Sequence, residues 1–182
     1  MNFFKEFLNN TKTVGAILPS SRFLAKKMTS NIDYKSSKVI VELGAGTGVF
    51  TNEIIKLKSQ DTIFIIFEIN DHFYNFLVDK YSNFKNVFIL KEGAENLGEV
   101  LKEFNLEKVD YVVSGLPFLN FNENLRNDIF KNVSQFLEKE FILFQYTHIL
   151  EKELKENFLL GRREKTYLNF PPAYVYTLES KI

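Results

Sequence analysis

From Val39 onward the chain repeats one pattern: a short, nearly unbroken apolar run, a turn, then a segment whose apolar residues recur at helical spacing. The runs are VIVEL (39–43), TIFIIFE (62–68), VFIL (87–90), VDYVVSG (109–115) and EFILFQYT (140–147). The helical segments are VFTNEIIKLK (49–58), DHFYNFLVDKY (71–81) and the stretches around 97–104, 123–137 and 149–158. Strands that are apolar at consecutive positions are buried on both faces, as in a parallel sheet covered by helices. The alternation predicts an open, doubly wound α/β sheet. It breaks only at the end, where KTYLNF (165–170) and AYVYTLE (173–179) are separated by Pro171-Pro172. A parallel crossover needs about a dozen residues, so this last pair should be an antiparallel hairpin. The expected fold is Rossmann-like: a seven-stranded, mostly parallel sheet ending in an antiparallel hairpin, with helices on both faces.

No Pro/Gly/Ser-rich linker and no internal repeat divides the 182 residues, which read as a single domain. Within it, residues 36–182 form the Rossmann-like core and residues 1–35 an N-terminal helical lid. The absence of Cys excludes thiolate catalysis and Cys-based metal sites, and two His are too few for a His-rich cluster, so no metal is expected. Formal charge is zero, with 23 basic and 23 acidic residues, so there is no whole-surface basic field for nucleic acid. No run approaches the ~20 apolar residues of a membrane span, and the opening MNFFKEFLNN lacks the core and cleavage site of a signal peptide. The expected location is the cytoplasm, with peripheral attachment to the cytoplasmic face of the membrane left open.

The strongest local signal is Glu42-Leu43-Gly44-Ala45-Gly46-Thr47-Gly48, directly after the first strand and directly before a helix. Glycines there allow a tight turn and close approach of backbone to a ligand. The spacing is G-x-G-x-G. A dinucleotide fingerprint would need Gly where Val49 stands, and the Lys-Ser/Thr pair of a P-loop is absent. The second strand ends in Glu68, followed by Ile69, where an acid can accept both hydrogen bonds of a ribose diol. Together the loop and the acid point to a nucleoside rather than a bare phosphate.

E-L-G-x-G-x-G resembles the first motif of class I methyltransferases, whose sheet also has five β-α units ending in an antiparallel hairpin. The resemblance implies S-adenosylmethionine as cofactor and its demethylated form, S-adenosylhomocysteine, as product. It assigns Glu42 to the methionine end, directly or through water. It also places the adenine beside Gly93, Ala94 and Glu95, with the acid that meets the exocyclic amine supplied by Glu92 or Glu95 or else missing from this chain. After the fourth strand, Ser114-Gly115-Leu116-Pro117-Phe118 is similar to the segment with which amine-methylating enzymes grip the acceptor through polar groups and an aromatic ring. Three further stretches complete a pattern found in this order in bacterial phospholipid N-methyltransferases, relatives of the ribosomal RNA adenine dimethylases. They are V-G-A-I-L-P-S-S-R (14–22), the Gly loop extended to Phe50-Thr51, and Asn169-Phe170-Pro171-Pro172-Ala173. Aligned on Pro117-Phe118, the adenine dimethylases carry Asn where this chain has Gly115. Four Arg against nineteen Lys is also a poor set for planar RNA recognition. The acceptor implied is the amine of an aminophospholipid such as phosphatidylethanolamine. RNA adenine or a small-molecule amine stands second and a non-catalytic cofactor-binding protein third.

Phe3, Phe4, Phe7 and Leu8 share one helical face, and residues 1–30 hold five cations against the single acid Glu6, a net of +4. A basic, aromatic segment of this kind lies on an anionic bilayer or covers the core, and both readings stand. Methyl transfer from a sulfonium is an SN2 step that needs alignment and a dry site. An alkylammonium with a pKa near ~10 must first lose a proton. Ser114, the Leu116 carbonyl, Tyr146 and His148 are candidates to receive it or to orient the amine, while His72, at a helix start, is structural.

Overall fold

The computed structural model describes residues 19–167 and 172–181. In chain order the elements are α1 (Pro19–Thr29), β1 (Val39–Leu43), α2 (Val49–Leu57), β2 (Ile63–Phe67), α3 (Asp71–Tyr81), β3 (Val87–Leu90) and α4 (Leu97–Glu103). There follow β4 (Val109–Ser114), α5 (Glu123–Phe136), β5 (Leu137–Gln145), α6 (Glu151–Asn157), β6 (Phe158–Thr166) and β7 (Ala173–Ser180). The seven strands form one sheet in the order β3-β2-β1-β4-β5-β7-β6. The first five pair in parallel and β7 pairs antiparallel with both β5 and β6, so the mostly parallel, hairpin-ended sheet is the one the sequence pattern predicts.

The central parallel strands β1, β2 and β4 are short and largely buried because both of their faces meet helices. All five residues of β1 are buried, Glu42 included. Val41, Leu43, Ile65, Phe67, Phe118, Phe130, Phe141 and Phe158 pack on the face covered by α4, α5 and α6. Ile40, Phe64, Ile66 and Val113 pack with Ile54 of α2 and Leu77 of α3 on the other. Helix α1 lies on this second face, burying Leu24, Ala25 and Met28, so the part of the 1–35 segment that is described packs on the core. Phe3, Phe4, Phe7 and Leu8 lie outside the described residues, as does most of Asn169–Ala173. No helix among the described residues is long and apolar enough to cross a membrane.

Helix starts follow local chemistry. The Asn70 side chain accepts hydrogen bonds from the backbone N–H groups of His72 and Phe73 at the start of α3, and Asn122 does the same for Leu125 at the start of α5. Such caps are worth about 1 kcal/mol.

The penultimate strand departs from the sequence expectation. It occupies Phe158–Thr166, directly after α6, and not 165–170. It is the edge of the sheet, bonded only to β7, and of its nine residues only Phe158 and Thr166 are buried. An edge strand with a Gly-Arg-Arg-Glu-Lys middle has no apolar run to announce it. A register shift between Leu160 and Arg162, at Gly161, obscures its alternation further.

Candidate active site

The strand order reverses between β1 and β4, and at such a switch point the loops leaving the carboxyl ends diverge to open a crevice. The glycine loop forms one wall. Gly44 donates its N–H to the Phe67 carbonyl at 2.9 Å, and Gly48 donates to the Ala45 carbonyl at 2.9 Å. Gly44, Gly46 and Gly48 have φ of +72°, +53° and +74°, a region that side chains rarely adopt.

The three glycines serve different ends. A Cβ on Gly44 would crowd Cδ2 of Leu116, and one on Gly48 would stand 2.9 Å from Cδ2 of Leu77 and 3.1 Å from the Tyr81 ring, so both positions face neighbouring side chains. A Cβ on Gly46 would meet nothing within 4 Å, so this backbone faces open space. Ala45, next to it, is buried.

Glu68 closes the opposite wall. Its Oε2 accepts the Gly46 N–H at 2.7 Å and its Oε1 accepts the Asn70 N–H at 2.8 Å, which fixes a carboxylate only 7% exposed at the ends of β1 and β2. Each oxygen keeps a second lone pair, the requirement for receiving two ribose hydroxyls. Ile69, the next residue, is 69% exposed at the rim.

Glu42 is fully buried beneath α2. Its Oε2 accepts from the Thr51 hydroxyl at 2.7 Å, while Oε1 has no partner. Burial raises its pKa to about 8 despite the Thr51 hydrogen bond, so the group is largely neutral at pH 7. An unsatisfied carboxyl oxygen beneath a glycine loop fits a ligand that brings a cationic amine or an ordered water. The open face at Gly46, the paired acceptors of Glu68 and the orphaned oxygen of Glu42 suit the ribose and methionine parts of S-adenosylmethionine.

After β3, Ala94 is buried at the start of a short 3-10 turn, Ala94–Asn96. The Glu95 carboxyl folds back on Gly93, where a Cβ would come within 2.3 Å of it, and Glu92 accepts from the Asn96 amide at 3.0 Å. Glu92 is therefore engaged locally, and the Glu95 carboxyl lies over the Gly93 backbone.

The β4 end carries the segment expected to meet the acceptor. The buried Ser114 hydroxyl accepts the Leu116 N–H at 3.2 Å, and Gly115 donates to the Leu43 carbonyl at 2.9 Å. The Leu116 carbonyl accepts from the Phe118 N–H at 3.0 Å, so it is already engaged. Pro117 sets the turn that follows. Phe118 departs from expectation. Its ring does not line the crevice but is fully buried, packed against Phe130 at 4.9 Å and Phe121 at 6.0 Å between ring centres. The short turn after β4 reverses the chain, and the apolar ring follows the core.

The aromatic surface near the crevice joins Tyr146, a candidate from the sequence, to Phe50 and Phe144, which carry no site motif. Phe50, at the start of α2, packs edge-on to Phe144 of β5 at 6.1 Å, and Phe144 packs on Tyr146 at 5.5 Å. Tyr146 is 45% exposed just beyond β5. Phe50 also lies 3.2 Å from where a Cβ of Gly115 would be, so this ladder reaches from the glycine loop to the acceptor side. His148 is bound to Tyr176 on the β7 side, and His72 sits in the first turn of α3. Among the described residues no group of three or more His, Asp or Glu is arranged to hold a metal.

Residues 1–95 match the family model described as ribosomal RNA adenine dimethylase. The chain is 31% identical to an ornithine lipid N-methyltransferase of Singulisphaera acidiphila over 96% of its own length and 92% of that protein. It is 26% identical to ribosomal RNA small subunit methyltransferase A of Borreliella burgdorferi over 81% of its length, but spans only 47% of that relative. Among solved structures, N-methyltransferase NodS from Bradyrhizobium japonicum superposes with a TM-score of 0.71 over 90% of this chain and 98% of that one, at 9% identity. That likeness shows the fold alone. The sequence matches carry the assignment further, and by them the chain belongs to the ribosomal RNA adenine dimethylase family, as an S-adenosylmethionine-dependent N-methyltransferase.

Proposed function

We propose that the chain transfers methyl to the amine of an aminolipid, the phosphatidylethanolamine head group or a related one such as an ornithine lipid. The observation that carries this is the packing at Gly115. A Cβ there would stand 2.7 Å from the Gly44 carbonyl oxygen and 3.2 Å from the Phe50 ring, so this backbone has no room for the Asn that grips adenine in the resembling dimethylases. A flexible primary amine does not need that planar amide. The relative matched over nearly its whole length acts, by its name, on an ornithine lipid, which supports the same reading.

In this reading Gly44 to Gly48, Glu42, Glu68, Ile69, Gly93, Ala94 and Glu95 hold the cofactor. Ser114, Leu116, Pro117 and Tyr146 border the acceptor, and Phe118 supports their turn from the core. The chain acts as one domain, with residues 1–30 resting on the cytoplasmic leaflet. Arg22, Phe23 and Lys26 are among the described residues of that segment exposed to meet it. A second reading, methylation of an RNA adenine, has the family description over residues 1–95 in its favour.

The test is methyl transfer from labelled S-adenosylmethionine to vesicles of phosphatidylethanolamine or ornithine lipid, with RNA and soluble amines in parallel. Label is expected in the lipid extract, with vesicle binding that weakens as salt is added. Transfer to RNA or a soluble amine, and none to any aminolipid, would remove the lipid reading.

A further inference from the structure

We propose that His148 is the proton acceptor for the substrate ammonium, set for that task by Tyr176 and Glu151. This inference rests on the amine-methylation reading above.

The placement follows from the register. Ser114 at the end of β4 is level with Leu143, and β5 continues two residues further to Gln145, whose partner on β7 is Tyr174. The loop that leaves β5, the strand beside β4, carries Tyr146 and then His148 at the carboxyl edge, and the imidazole leans from it toward β7. Its ring centre lies 3.9 Å from that of Tyr174.

The hydrogen bonds select a tautomer. His148 Nδ1 lies 2.8 Å from the Tyr176 hydroxyl and 3.5 Å from Oε2 of Glu151. Glu151 also takes Lys155 at 2.7 Å and Arg163 at 2.6 Å. These two cations pull its pKa down to about 2, so it only accepts across the working range. The Tyr176 hydroxyl is kept protonated, its pKa pushed up to about 12 chiefly by burial, and its hydrogen is directed toward Glu151 at 3.5 Å. The hydroxyl oxygen is then left to accept, and Nδ1 is the donor. A neutral imidazole protonated at Nδ1 presents a lone pair at Nε2. That nitrogen has no hydrogen-bond partner among the described residues, and the His148 side chain is 43% exposed. The charged and titratable groups around the ring are Glu151 and Lys155 of α6, Arg163 and Lys165 of β6, and Tyr174 and Tyr176 of β7. Glu151 is the anion among them and sits on the Nδ1 side, where it stabilises the imidazolium once formed.

The step balances. The substrate ammonium gives one proton to Nε2 of His148, leaving a neutral amine and an imidazolium. The amine lone pair forms the N–C bond while the S–C bond breaks, and that electron pair leaves on sulfur as the neutral thioether product. The methylated ammonium departs, and the imidazolium releases its proton to solvent.

The experiment uses the full chain, labelled S-adenosylmethionine and phosphatidylethanolamine vesicles, with kcat followed from pH 5.5 to 9.5. His148→Gln should lower kcat on the order of 100-fold, within the range of general-base contributions. It should leave the KM for S-adenosylmethionine unchanged and move the rise of kcat toward the pKa of the free ammonium. Tyr176→Phe and Glu151→Gln should give smaller losses with the same direction of pH shift, as positioning residues. Unchanged kcat and pH profile in His148→Gln would overturn the assignment, as would a loss of kcat accompanied by an equal loss of cofactor affinity. Nitrogen NMR of the wild-type ring gives a readout independent of the acceptor. A proton on Nδ1 is expected, and a proton on Nε2 would overturn the proposal whatever the substrate is. A wild-type chain that binds cofactor and methylates only RNA would instead overturn the acceptor reading on which it rests.

Discussion

At the carboxyl edge of the sheet, the loops after β1 and β2 present mainly backbone to the crevice, whereas the loops after β4 and β5 present side chains gathered from several strands. On the first side, Gly44, Gly46 and Gly48 lie within five residues, and the carboxylate of Glu68 is anchored by the N–H groups of Gly46 and Asn70. On the second side, Phe50, Phe144 and Tyr146 form one aromatic ladder, and His148, Glu151, Arg163 and Tyr176 one polar cluster, across α2, β5, α6, β6 and β7. A backbone-built site is insensitive to most substitutions nearby, while a site made of converging side chains can be recast one residue at a time. The arrangement lets one cofactor half serve different acceptors.

The comparison breaks most readily at Phe118, which belongs to the acceptor segment by sequence and to the core by packing. Phe118→Ala is expected to cost about 3–5 kcal/mol of stability, the range for a large aromatic removed from a core. A denaturant titration measures this. A stable variant with a raised KM for the acceptor would return the ring to the crevice.

Glu42 tests whether the cofactor half holds its buried acid neutral. Its folded pKa of about 8 lies above the unfolded value near 4.5, so its contribution to stability is fully present below pH 4.5 and is lost as pH rises through about 8. Between those limits the ligand-free protein should lose at most about 1.4 kcal/mol per pH unit from this group. Melting curves of wild type and Glu42→Gln check it, since the variant should lack this part of the slope.

Glu68→Ala sharpens the cofactor side. It should weaken S-adenosylhomocysteine binding by roughly 1.5–3 kcal/mol, as for a lost hydrogen bond to a charged group, while the fold persists. Calorimetry showing normal affinity would move the ribose elsewhere.

Gly115→Ala probes where the two halves meet. The added Cβ must displace the Gly44 carbonyl, an overpacking worth about 1–3 kcal/mol, and cofactor affinity should fall with stability because the glycine loop itself is pushed. Crystallography or calorimetry showing an undisturbed loop would reopen this position to larger side chains.

The smallest effect is expected at Lys27, whose ammonium meets Glu164 at 2.5 Å and ties α1 to β6 across a half-exposed surface. Lys27→Ala should cost only ~0.2–1 kcal/mol, measured by the shift in melting midpoint. A larger loss would mean that α1 depends on that contact more than on Leu24, Ala25 and Met28.

The same division explains what could be read in advance. VIVEL and IFIIF declare themselves because strands buried on both faces must be apolar throughout, and Gly44-Ala45-Gly46-Thr47-Gly48 declares itself because few backbones demand so many glycines in so short a span. The edge strand β6 was hidden because one of its sides is unpaired and most of its residues are exposed. Phe118 was misjudged because an aromatic after Pro117 looks the same in sequence whether it turns to the crevice or to the core. Tyr176 gave no signal at all, lying inside an alternating strand like any core tyrosine.

By itself, then, the order of residues determined the doubly wound sheet, its closing hairpin and the cofactor loop, because each depends on periodicity or on backbone conformation within a few positions. Only the tertiary structure decided which glycine faces open space and which two face Leu116, Leu77 and Tyr81. It also decided that Gly115 lies against the Gly44 carbonyl, and that His148 of the β5 loop meets a tyrosine 28 positions later and a glutamate held by Arg163. Those relations are distances between segments remote in sequence, and they arise only when the sheet brings the segments side by side.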